Sequence, residues 1–223
     1  MNNRMIRRIR TVAVAAASVV ALIGVAGPAS AATSSYNVNM TSGRISVGTT
    51  NFDTPGASPV VCVGTTGLSG TIDDTAGTIN GTLNINSSEF TAPFTSGNFK
   101  LTATGTSNTG TYNAGTNSFS GLTYNPISFT IQRIDTTDRA CVVGATVCSG
   151  TATLTAAGTL ASGVTLPLVT GNDVIVNSTA GSIITTSGCG FPWSSVVKPG
   201  AMLALGANPA ITPAPGGAVF TQV

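Results

Sequence analysis

The stretch "ISFTIQRI", Ile127–Ile134, decides the fold class. Ile127, Phe129 and Ile131 alternate with polar residues, the period of two expected of a strand with one buried face. The same pattern recurs along the chain. "SYNVNMTS" spaces Tyr36, Val38 and Met40 two apart, and "NFKLTATGT" does so with Phe99, Leu101 and Ala103. "GTINGTLNIN" carries Ile79, then Leu83 and Ile85. "PVVCVGT", "TATLTAAGTL", "VTLPLVT", "DVIVNST" and "GSIITTS" read as further strands. Gly, Asn, Ser and Asp punctuate them roughly every eight to twelve residues, the spacing of a sandwich or barrel. No sustained helical period appears after the N-terminal segment.

Composition agrees with the period. Charged residues make up only 7% of the chain, against about 25% in typical globular proteins. Thr, Ser, Asn and Gly must therefore supply the polar surface. Threonine suits a solvent-facing strand because its branched Cβ fits the pleat. Disorder would pair low hydrophobicity with high charge, whereas hydrophobic residues are 42% here. The expected fold is all-β: an antiparallel two-sheet β-sandwich, with a closed β-barrel as the alternative. It spans residues 32–206. A Pro- and Gly-containing tail follows over 207–223, with an edge strand expected at Ala218–Gln222.

Residues 1–31 read as a cleaved signal helix. Arg4, Arg7, Arg8 and Arg10 precede an apolar run from Val12 to Ala26. Pro28 and the small residues Ala29 and Ala31 then form a cleavage pattern. About fifteen apolar residues fall short of the roughly 20 that span a bilayer. No later run is long and apolar enough for a transmembrane helix. Cleavage would remove four of the nine basic residues and none of the seven acids, leaving a net charge of −2. The five remaining cations are scattered, so nucleic-acid binding, which needs a basic patch, is not expected.

The chain has no histidine. That removes Ser-His-Asp and Cys-His catalysis and imidazole metal sites. Ser195 and Lys198 in "SSVVK" have S-x-x-K spacing, but Val196, Val197 and Pro199-Gly200 favour a strand and turn over the helix that this chemistry uses. No enzyme, metal or cofactor is expected. Asp73-Asp74 reads as a turn, with calcium as the competing reading. Asp135 and Asp138, flanked by Arg133 and Arg139, read as a charge cluster guarding an edge or loop. Lys100 reads as an outward edge lysine rather than one half of an isopeptide bond promoted by Glu89. "CGFPW", Cys189–Trp193, holds the only tryptophan. It fits a core anchor beside a disulfide; the alternative is surface contact with sugar or lipid through Trp193 and Phe191. Sequons at Asn39, Asn80, Asn86 and Asn177 read as by-products of an Asn- and Thr-rich bacterial chain.

Cys62, Cys141, Cys148 and Cys189 argue for two disulfides in an exported protein. A two-residue turn at Gly144-Ala145 would set Cys141 opposite Cys148 in a hairpin. Elimination then pairs Cys62 with Cys189. The expected function is non-catalytic: a secreted or cell-envelope β protein with a binding or structural role. Its expected partner is a surface ligand or envelope component. The alternatives are an envelope porin-like barrel and, against the absence of histidine, a secreted hydrolase.

Overall fold

A computed structural model of the protein describes residues 33–48, 50–51, 62–135, 141–206 and 217–223. The expected leader, Asp138, Arg139 and most of the Pro-rich tail lie outside them. The described residues fold almost entirely as antiparallel strands. In chain order these are β1 (Thr33–Ser42), β2 (Ile45–Val47), β3 (Thr50–Asn51), β4 (Gly67–Asp73), β5 (Thr78–Asn86), β6 (Phe90–Thr91) and β7 (Asn98–Thr106). They continue with β8 (Gly110–Asn113), β9 (Ser118–Asp135), β10 (Val142–Leu160), β11 (Asp173–Ser187), β12 (Met202–Leu205) and β13 (Ala218–Gln222). A single helical turn, α1 (Trp193–Val196), precedes β12.

All thirteen strands join one hydrogen-bonded sheet. Its pairings return to their start: β11 pairs β13, β13 pairs β1, β1 pairs β4 and β4 pairs β5. Along the edge of β5 opposite β4, β7 and then β8 connect β5 to β9: β7 over Thr82–Asn86 and β8 over Thr78–Ile79. β9 pairs β10, and β10 pairs β11. The C-terminal strand occupies the predicted residues, but it lies between β1 and β11 and not at an edge.

Alternation dictates which side chains go inward. Ile127, Phe129 and Ile131 on β9, Leu101 and Ala103 on β7, and Leu83 and Ile85 on β5 are all buried. They belong to one continuous core cluster. Three aromatics in that core lie over glycines. Phe129 faces Gly150 across the β9–β10 ladder and Phe119 faces Gly158. Tyr36 covers Gly81, and its hydroxyl donates to the Asn80 carbonyl at 2.9 Å. A Cβ on Gly150 would come within 2.8 Å of the Phe129 ring and strike the Thr185 carbonyl. Glycine inside a strand marks such close approaches.

Several sequence expectations need correcting. "VTLPLVT" is a loop between β10 and β11, and Cys62 and the residues just after it form no strand. "DVIVNST" and "GSIITTS" are one strand, β11. The hairpin expected at Gly144-Ala145 is absent, because β10 runs straight through both residues with only a register shift between Val143 and Thr146. β10 pairs instead with β9, Val142 standing opposite Asp135. Extended chain rises about 3.3 Å per residue, so Cys141 and Cys148 stand on the order of 20 Å apart. Each therefore bonds elsewhere: Cys62 pairs with Cys141, and Cys148 with Cys189. The second bridge continues the β10–β11 register, since Ser149 is already opposite Ser187.

Candidate functional site

The residues singled out from sequence fall in different places. Trp193 is 4% exposed and Phe191 is 91% exposed. Trp193 stacks edge-on against Phe99 and Phe94, with ring centroids 4.8 and 5.1 Å away. It is a core anchor and offers no ring to a ligand, so only Phe191 of that pair is available at the surface. The Ser195 hydroxyl donates to the Pro192 carbonyl at 2.6 Å. Ser195 lies in the helical turn α1 where a strand was expected, and Lys198 lies beyond that turn, past the extended Val197.

Asp73 closes the β4–β5 turn. One carboxylate oxygen accepts the backbone N–H groups of Thr75 and Ala76, at 3.0 and 2.7 Å. Asn113 does the same for Gly115 and Thr116 in the β8–β9 turn. These are Asx turns, the usual work of such residues. Among the described residues, no three acids or cysteines gather as a metal group would require. Lys100 lies between the inward Phe99 and Leu101 and pairs across the ladder with Gln132. Glu89 instead accepts the Cys62 backbone N–H at 3.2 Å.

What brings side chains together is the outward face of β5, β7, β9, β10 and β11. Register aligns Asn84, Thr104, Ser128, Thr151 and Thr185 in one row across five strands. Two residues along, a second row holds Asn86, Thr102, Thr130, Ser149 and Ser187. Every position in both rows is a hydroxyl or an amide. Neighbours bond to each other: the Thr102 and Thr130 hydroxyls are 2.6 Å apart, and those of Thr151 and Thr185 are 2.9 Å apart. A trough of about 270 Å³ lies between the rows over β5, β7 and β9, with Asn84, Thr104 and Ser128 on one side, Thr102 and Thr130 on the other, and Ala103 and Phe129 between them. The following row holds an ionisable group, Lys100, with Gln132 and Thr146.

Sequence reading missed this face. The alternation in "NFKLTATGT" and "ISFTIQRI" says which residues point outward. Only the register says that they line up, and register is set by partners far away in the chain.

The described interior holds a second polar feature. Tyr124 is fully buried, and its hydroxyl has no hydrogen-bond partner. Burial, and then the neighbouring Tyr36, pushes its phenol well above the ordinary tyrosine range. Burial alone does the same to Tyr36.

Comparison with known proteins gives no assignment: no family model, curated protein or solved structure matches the chain.

Proposed function

We propose that the chain is an exported, non-catalytic β protein, secreted or held at the cell envelope, that acts by binding through its outer surface. The observation that carries this reading is that all four cysteines are paired. Disulfides persist in oxidising compartments outside the cytoplasm. The basic, apolar and small-residue order of residues 1–31 supports export in the same direction. The absence of histidine supports a non-catalytic role.

The circuit of strand pairings supports a closed barrel over two separate sheets, since closure is how antiparallel sheets remove their edges. It does not favour a porin. A membrane barrel turns an apolar band outward to lipid, and the outward rows here are hydroxyls and amides.

Fractionation of cells expressing the full chain tests the reading. The protein is expected outside the cytoplasm, beginning near residue 32 by N-terminal sequencing, with no thiol available to alkylation before reduction. Recovery of an unprocessed, thiol-reactive chain in the cytoplasm would overturn it.

A further inference from the structure

We infer that the trough between the two hydroxyl rows is a binding site for an extended, uncharged polysaccharide chain lying across the strands. This deepens the reading of an exported binding protein by naming its ligand class.

The argument is one of exclusion and fit. None of the ten row positions is ionisable, so a charged polymer finds no counter-charge there. An apolar ligand would desolvate hydroxyls and amides without replacing their hydrogen bonds, which is costly. A peptide cannot add as a strand within the trough, because β7 and β9 are paired on both sides where they line it. A polyhydroxylated neutral chain meets none of these objections.

The hydrogen-bonding capacity also matches. A hydroxyl has one donor hydrogen and two acceptor lone pairs. The bond between Thr102 and Thr130 uses one hydrogen and one lone pair. The pair therefore keeps one donor and three acceptors for a ligand, already oriented. Sugar hydroxyls both donate and accept, so they can use this mixture.

Dimensions favour a flexible chain over a planar surface. Five strands at about 4.8 Å make a row about 19 Å long, and two residues along a strand set the rows about 6.7 Å apart. Neighbouring strands rotate by roughly 20–25°, so the rows turn through about 80–100° from β5 to β11. A crystalline lattice such as ice would touch only part of that surface. A single polymer chain can follow the twist and stay in contact with both rows.

Native affinity gels cast with dextran, galactomannan, a soluble β-1,3-glucan or hydroxyethylcellulose test the inference on the purified, oxidised protein. Retardation is expected with at least one polymer, and bead pull-down with that polymer should be unchanged in 0.5 M salt. Thr104→Arg and Ser128→Glu put bulk and charge into the trough and should weaken retention at least tenfold. Thr104→Val and Ser128→Ala, which remove only hydroxyls, should weaken it several-fold with an unchanged thermal transition. Ser35→Arg, on the outward face of β1, should bind as the parent does. No retardation by any of the four polymers, or full binding by Thr104→Arg, would overturn the site. Loss of binding in salt would overturn its neutral basis. Shaping of ice crystals by the protein would assign the face to ice instead. These results concern the face alone, whereas fractionation tests export, so the two can fail separately.

Discussion

Tyr124 and Tyr36 are neighbours in the core with opposite hydrogen-bond states. Tyr36 donates to the Asn80 carbonyl, while the Tyr124 hydroxyl is buried without a partner. A buried unsatisfied polar group costs about 1–3 kcal/mol, and a made hydrogen bond contributes about 0.5–1.5 kcal/mol. Tyr124→Phe should therefore leave stability unchanged or raise it, and Tyr36→Phe should lower it by about 1 kcal/mol. Urea denaturation of the two variants checks both signs. Both phenols also hold their protons far more tightly in the folded chain than the ordinary value of 10.0. Above that pH the unfolded chain releases protons that the folded chain retains. Stability is thus complete below about pH 10 and lost as pH rises further, by up to about 1.4 kcal/mol per pH unit for each tyrosine. The unfolding midpoint followed from pH 9 to 12 should fall steeply after pH 10, and less steeply in Tyr124→Phe.

The strands show what short patterns can and cannot reveal. "ISFTIQRI" and "NFKLTATGT" named their buried faces correctly because a half-buried strand writes its period into adjacent residues. "RACVVGATVCSG" misled because Gly144-Ala145 has the chemistry of a two-residue turn. The long strand β9 supplies a partner for residues on both sides of that glycine, and tertiary pairing prevailed over local turn preference. Gly150 and Gly158 are a related case: only Gly158 falls in a stretch read as a strand, but both sit mid-strand beneath phenylalanine rings. Gly150→Ala has to displace the Phe129 ring or the β11 backbone and should cost about 1–3 kcal/mol, as overpacking does. Gly190→Ala has open space at its Cβ and should change stability by less than about 0.5 kcal/mol. Thermal denaturation of the two variants distinguishes a packing glycine from a loop glycine.

Across the whole molecule, the cysteine count was legible and the pairing was not. Four cysteines in a chain expected to be exported imply two bridges, but which sulfurs meet depends on where β10 begins and where β11 ends. A non-reducing peptide map should recover Cys62 with Cys141 and Cys148 with Cys189. The bridges close 79- and 41-residue separations. In the loop-entropy model each contributes on the order of 4 kcal/mol. Cys62→Ala with Cys141→Ala, and Cys148→Ala with Cys189→Ala, should therefore lower the denaturation midpoint by similar amounts. The hydroxyl rows belong to this scale too. Their residues come from five strands, and no single segment of sequence displays them together.

The place of β13 between β1 and β11 also bears on timing. The hydroxyls of Thr41 and Thr221 lie 3.0 Å apart although 180 residues separate them in the chain. A strand made early must wait for a partner made much later, and contacts of such long range slow folding. On the proposal that the chain is exported, an open chain waiting for its last strand is also a thread that a secretion channel can pass. Slow closure and export would then be two aspects of one property.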